Sequence, residues 1–326
     1  MTNIFGINVG DWKYIFDPNK PRNRGLQVIP KDPVKIPDFL FKYYSLSDFN
    51  IDALKKNYLY ASNKFEMNDD FDCLGQLIDF NDLPDDYIFK FYQGFHEDNY
   101  IYANFEELKK SFPIHKTVNY YGGFGVVSLT ENIHSPTMWA HYANSNHGFA
   151  VKFNLDNFHE RMLGPFPVNY RSEWHPISLK DVDERFALLY MTNIKSADWK
   201  YEKEWRYVGI RPYMSFPPHK VEPENIENRK FNYSPKAIEE VILGSRFLNG
   251  LVKKDMINNT VLLESDSTVK NVKEKMKLLE FITDNNLKTS RIVLKEGSKT
   301  FELDTKPVEI HKIDNNSFQM KILTET

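Results

Sequence analysis

One cysteine, Cys73, stands in a chain of 326 residues, so no disulfide can close within it, and a disulfide-stapled fold or a cysteine zinc site is excluded. Long apolar runs are missing as well. No stretch approaches the roughly 18 residues of a membrane span, and "MTNIFGINVGDWKYIFD" lacks the basic segment and apolar run of a secretory signal. These absences predict a cytoplasmic protein with no membrane partner. Net charge is small, at -3, so the chain lacks the basic surplus of a general nucleic-acid binder, although a local basic groove stays open. No glycine-rich loop joins a strand to a helix, which argues against a dinucleotide Rossmann domain and a P-loop.

Aromatic residues make up 15% of the chain, much of it in segments that alternate with polar residues. Residues 1–38 include the proline-rich and basic "DPNKPRNRGLQVIPKDPVKIPDF" and read as an extended arm. From 39 to 250 short strand and helix patterns alternate irregularly. "FLFKYYSL" reads as a strand, and "SDFNIDALKKNYLYAS" as a helix capped by Ser47 that leads into a second strand. Residues 84–117 are largely helical, "YYGGFGVVSLTEN" holds a buried strand, and "SPTMWAHYANSNHGFAVKFN" reads as helix, turn and strand with Pro136 in the first turn. Residues 251–326 add an amphipathic helix through Val269, Val272, Met276, Leu279 and Ile282 and two or three final strands, either an accessory piece or part of the same domain. The fold class is α+β.

The stretch "WKYEKEWRYVGI", residues 199–210, carries the chemistry. Read as one strand, it places Glu202, Glu204 and Arg206 on one face and Tyr201, Trp205 and Tyr207 on the other. Two readings compete: a hydrated face over an aromatic core, or the wall of a cleft in which Arg206 keeps a carboxylate ionised toward a ligand. Polar strand positions and aromatic plates elsewhere in the chain favour the cleft.

The ordered set "FKYYSL", "LYASNKFEMNDDFDC", "VVSLTEN", "TMWAHYANSNHGFAVKF", "VNY", "WKYEKEWR" and "IEEVILGSR" resembles the bacterial domain of unknown function 2971 family over residues 40–246. The family's usual Asn-Asp-Pro turn is Asn68, Asp69 and Asp70 here, a departure from its pattern. More distantly, the layout is similar to the ADP-ribosyltransferase superfamily, especially its toxins. That resemblance implies split antiparallel sheets with flanking helices, NAD as substrate, no metal, and a role as a toxin or anti-phage effector whose partners include a phage component or cognate inhibitor. It carries a first-strand position onto Lys42 or Tyr43, a Ser-x-Thr strand onto Ser128 and Thr130, and the Glu-x-Glu pair onto Glu202 and Glu204. Glu204 would stabilise the charge that develops on the ribose, Glu202 would orient or deprotonate an acceptor (protein, nucleic acid or nucleotide), and Arg206 would hold Glu204 ionised. Tyr43, Tyr142 and Trp139 are candidate plates for the nicotinamide or adenine ring, although a Trp in "MWAHY" also suits a core.

Two rivals remain. The turn holding Asp69, Asp70 and Asp72 suits a metal-dependent nuclease, or simply Asx turns and caps. A non-catalytic sensor would use the same pocket for a nucleotide or phage component. His134, His141, His147 and His159 lack the spacing of a zinc helix.

Overall fold

A computed structural model describes residues 5–20, 25–158, 162–210, 226–255, 260–264 and 271–323. Among them one mixed sheet of eleven strands organises the chain. Its strands are numbered in chain order: β1 (Phe39–Tyr44), β2 (Phe124–Thr130), β3 (Phe149–Asn154), β4 (Met162–Pro167), β5 (Glu204–Ile210), β6 (Ile238–Leu243), β7 (Val252–Asp255), β8 (Thr260–Glu264), β9 (Thr289–Leu294), β10 (Leu303–Lys312) and β11 (Ser317–Ile322). The spatial order is β7-β8-β11-β10-β9-β6-β3-β1-β2-β5-β4. Every neighbouring pair is antiparallel except β6 with β9. The class is α+β, as the sequence predicts, but the strands form one continuous sheet where two split sheets were expected.

The sheet is weakest between β1 and β2, where eight strands meet the last three. β1 pairs along its whole length with β3, from Phe39 opposite Asn154 to Tyr44 opposite Phe149. It meets β2 through one pair of residues, Phe41 and Thr130. Thr130 ends β2, and no other residue pair joins the two strands among the described residues.

Period-2 alternation decides what lies on each face. Val127 and Leu129 of β2 and Trp205 and Tyr207 of β5 join the larger core. The helix α6 (Val272–Asp284) covers that side, burying Leu278, Leu279 and Ile282. Val269, the first member of its predicted apolar stripe, lies outside the described residues. On the opposite face Phe124, Val126 and Val208 meet the helices α2 (Asp85–Tyr92), α3 (Asp98–Gly123) and α5 (Glu184–Asn193). A third, smaller core forms where α4 (Pro136–Tyr142) lays Met138 and Trp139 against Tyr43, Ala150 and Ile242. The sequence signals at these points hold. Ser47 caps α1 (Asp48–Lys55) by accepting from the Asn50 N–H, and Ser135 caps α4 with Pro136 at its first position.

The N-terminal stretch departs from the extended arm expected of it. Phe5–Val9, Trp12–Phe16 and Leu26–Ile29 form a three-stranded antiparallel sheet. Tyr14 is fully buried there and its hydroxyl donates to Asn193 Oδ1. The alternation that builds these strands is only four or five residues long, and the prolines and basic residues around it mask it.

The tail is continuous with the rest: β9 pairs with β6, and Leu263, Val308, Phe318 and Met320 complete the larger core. No described helix is long and apolar enough to cross a membrane. A chain ended after residue 250 would expose the edge of β6 and the apolar underside of the core. Its amide NMR spectrum is expected to lose native dispersion, where an independent 39–250 domain would keep it.

Candidate functional site

The strand pattern in "WKYEKEWRYVGI" holds only from Glu204 onward. Residues Ala197–Glu202 form a 3-10 turn that ends at Lys203, whose φ of 45° lies in the left-handed region. Glu202 is therefore off the strand. The kink nonetheless brings it to the same place as Glu204, because both carboxylates bind one ammonium. Lys195 Nζ lies 2.6 Å from Glu202 Oε2 and 2.9 Å from Glu204 Oε2. Lys195 sits on the short strand Ile194–Ser196, which pairs in parallel with Asn169–Arg171.

Arg206 completes the cluster from behind. It is 1% exposed, and its guanidinium forks onto Asp72 with distances of 2.7 and 2.6 Å. The same group reaches Glu204 through Nε at 2.8 Å and donates to the Thr192 carbonyl. Glu202 and Glu204 are 3% and 4% exposed, so the charged face of this stretch is not hydrated. Three carboxyl groups (Asp72, Glu202 and Glu204) thus surround two cations. Lys195 lies among all three carboxyl groups, with Asp72 the most distant at 3.8 Å.

The electrostatics push the two glutamates apart. Burial would raise the Glu204 pKa, but Arg206 and Lys195 outweigh it and hold the carboxyl well below the usual range. Burial raises the Glu202 pKa, the charge of Glu204 adds to the effect, and Lys195 and Tyr142 only partly oppose it. Burial would lower the Lys195 pKa, yet Glu204, Asp72 and Glu202 keep it above its ordinary value. A pair of acids driven in opposite directions is the usual arrangement for divided acid–base roles.

The cluster faces a cavity of about 450 Å³ that opens where β1 and β2 part. Residues from both faces of β2, Ser128 and Leu129, line it, as expected of a gap between strands. Lys42 enters from β1, half-buried, with Nζ 3.4 Å from the Ser128 carbonyl, and burial lowers its pKa to about 8. Ser128 is exposed in an otherwise buried strand and its side chain hydrogen-bonds to Glu204. Tyr142 from α4 lies at the rim, its hydroxyl 2.5 Å from Glu202 Oε1. Asn68 on the Asn-Asp turn donates to that hydroxyl at 3.0 Å.

The structure gathers Glu202, Glu204, Lys42, Tyr43, Ser128, Thr130 and Tyr142 around this one cavity. Thr130 is buried and hydrogen-bonds to the Glu202 carbonyl, fixing the turn. Tyr43 touches the cavity, while its hydroxyl donates to the Asn132 carbonyl and its ring meets Trp139 edge-on at 5.0 Å. Trp139 is 0% exposed, donates to the Ile133 carbonyl and lies behind the wall, the packing role open to it in the sequence. Asp69 and Asp70 do not join Asp72. Asp69 Oδ1 caps the Phe71 N–H, and Asp72 spends both oxygens on Arg206. Among the described residues no three His, Cys, Asp or Glu side chains are grouped so as to hold a metal ion, and His159 lies outside those residues.

Sequence reading missed Lys195 and Asn68. Charge arithmetic offered one signal, since three buried carboxyl groups need more than Arg206, but it does not say which lysine answers.

Residues 138–207 match the family described as "Protein of unknown function (DUF2971)". This segment runs from α4 into β5 and supplies Tyr142, Lys195, Glu202, Glu204 and Arg206. No curated protein and no solved structure matches the chain, so the distant resemblance to ADP-ribosyltransferases gains no support from comparison.

Arg206→Ala would leave Asp72 and Glu204 buried without their guanidinium. It is expected to destabilise the fold by about 3–5 kcal/mol, measured by urea unfolding. The sign of the pH dependence follows from Glu204. Its folded pKa is depressed, so its stabilisation is complete above the unfolded value of about 4.5 and is lost as pH falls toward the folded value. Glu204→Gln is expected to flatten that acid limb of the stability curve.

Proposed function

We propose that the chain cleaves the N-glycosidic bond of NAD, releasing nicotinamide and passing ADP-ribose to water or to a protein, nucleic-acid or nucleotide acceptor. The carrying observation is the pair of glutamates on one ammonium, pushed to opposite protonation tendencies at the wall of a cavity sized for part of a nucleotide. The single bridge between β1 and β2 leaves room for that cavity within a continuous sheet.

The chemistry assigns the two acids different work. As the bond from ribose C1′ to the pyridinium nitrogen breaks, its electron pair leaves with nicotinamide and positive charge develops on the ribose. Glu204 is suited to stabilise that charge, since Arg206 and Lys195 hold both its oxygens and keep it from taking up a proton. Glu202 is suited to be the base. Its raised pKa makes it more basic than an ordinary carboxylate, and it would accept the proton of the acceptor hydroxyl as that oxygen bonds to C1′. Lys42 supplies a cation for phosphate oxygens, and Ser128, whose proton goes to Glu204, offers an oxygen that accepts from a ribose hydroxyl.

Incubation of the purified protein with NAD, with and without cell lysate, tests this by chromatography of nicotinamide. Release by the wild type is expected to fall at least about 100-fold in Glu202→Gln and Glu204→Gln, with circular dichroism confirming that each is folded. Wild-type protein that releases nothing under either condition would overturn the proposal. NAD binding without release would point to a sensor.

A further inference from the structure

Glu202 Oε1 takes its hydrogen bond from Tyr142, and Oε2 takes the Lys195 ammonium at 2.6 Å. A phenol has one proton. Because Asn68 Nδ2 donates to the Tyr142 oxygen at 3.0 Å, that single proton is directed at Glu202. Both oxygens of Glu202 therefore accept, the arrangement of an ionised carboxylate. A proton arriving on Glu202 must settle on Oε1, because Oε2 faces a group that only donates. Glu202 then donates to the Tyr142 oxygen, and the phenol proton needs another acceptor. The cavity that Tyr142 and Glu202 both line is where one can be supplied.

We propose that Tyr142, oriented by Asn68, is a positioning residue that couples protonation of Glu202 to an oxygen acceptor on the ligand. Glu202 gains a proton from the attacking hydroxyl as the Tyr142 hydroxyl swings, keeping its own proton, from Glu202 to a ribose or phosphate oxygen. The catalytic meaning rests on the glycosidic reading; the control of Glu202 by Tyr142 does not. The turn at Asn68 thereby acquires a role that its acidic neighbours do not have.

Other groups also set the charge around Glu202. Lys195 faces it from Ile194–Ser196 and Glu204 from β5, while Tyr201 on its own turn and Tyr170 on Asn169–Arg171 interact with it at longer range. Asp72 acts through Lys195. Replacing Tyr142 by Phe leaves all of these in place and removes only the hydroxyl.

The test is a carbon-detected NMR titration of glutamate carboxyl groups, with Glu202 assigned by its loss in Glu202→Gln. In Tyr142→Phe the Glu202 midpoint is expected to rise by about one pH unit, the weight of one hydrogen bond to a charged group. Asn68→Ala is expected to move it the same way by less. An unmoved midpoint in folded Tyr142→Phe overturns the control. The kinetics of nicotinamide release test the coupling: Tyr142→Phe is expected to lower kcat by about 10-fold with KM little changed and to move the acid limb of the pH profile up with the Glu202 midpoint. An unchanged kcat in folded Tyr142→Phe overturns the coupling alone. No release by the wild type overturns the glycosidic reading and the coupling with it, while the titration still decides the Tyr142–Glu202 link.

Discussion

A guanidinium sealed from water must be answered by carboxylates at hydrogen-bond distance, and Arg206 sets that requirement for the whole molecule. Asp72 answers it with a two-pronged contact from a turn more than one hundred residues earlier, and Glu204 answers it from the same strand. The guanidinium thus joins the Asn-Asp turn to β5, the strand next to the sheet's edge. Since Glu204 is spent on Arg206 and Lys195 together, Glu202 shares the second cation and remains the less compensated acid.

That asymmetry becomes accessible because of the sheet. Were β1 and β2 paired along their length, Ser128 and Lys42 would lie in a closed ladder. Their single bridge at Phe41 and Thr130 leaves a gap instead, and the ion cluster forms one wall of it. Helix α4 provides the rim. Its Trp139 is locked in the core, which fixes the helix and lets Tyr142, three residues on, reach Glu202. Packing on one side of the helix therefore also positions the polar end of Tyr142, which lies against the same small core.

Much of this was legible in sequence because it rests on local rules. Ser47 and Ser135 announce their helices as caps, and alternation separates Trp205 and Tyr207 from Glu204 and Arg206. The distant resemblance names Glu202, Glu204, Ser128 and Lys42 as candidates and Tyr142 enters as an aromatic plate, and the fold places all five around one cavity. Other features depended on tertiary facts with no local signature. The break at Lys203 comes from a left-handed residue that is not glycine, at a cost of about 1–3 kcal/mol that only the surrounding contacts can impose. Lys195 resembles any lysine near a strand end until the chain folds three carboxyl groups around it. Asn68 reads as a turn residue, and its contact with Tyr142 spans 74 positions. The N-terminal sheet was hidden because its strands are too short for periodicity to outweigh the prolines beside them.

The central claim is that the gap between β1 and β2 is a nucleotide site with the ribose set against two unequal glutamates. The most direct measurement is a crystal structure of the protein with an NAD analogue whose glycosidic bond cannot be cleaved. The expected result is a ribose whose hydroxyls lie within hydrogen-bond distance of Glu202 or Glu204, with the phosphates toward Lys42. Analogue bound elsewhere, or an empty cavity at saturating analogue, would contradict it.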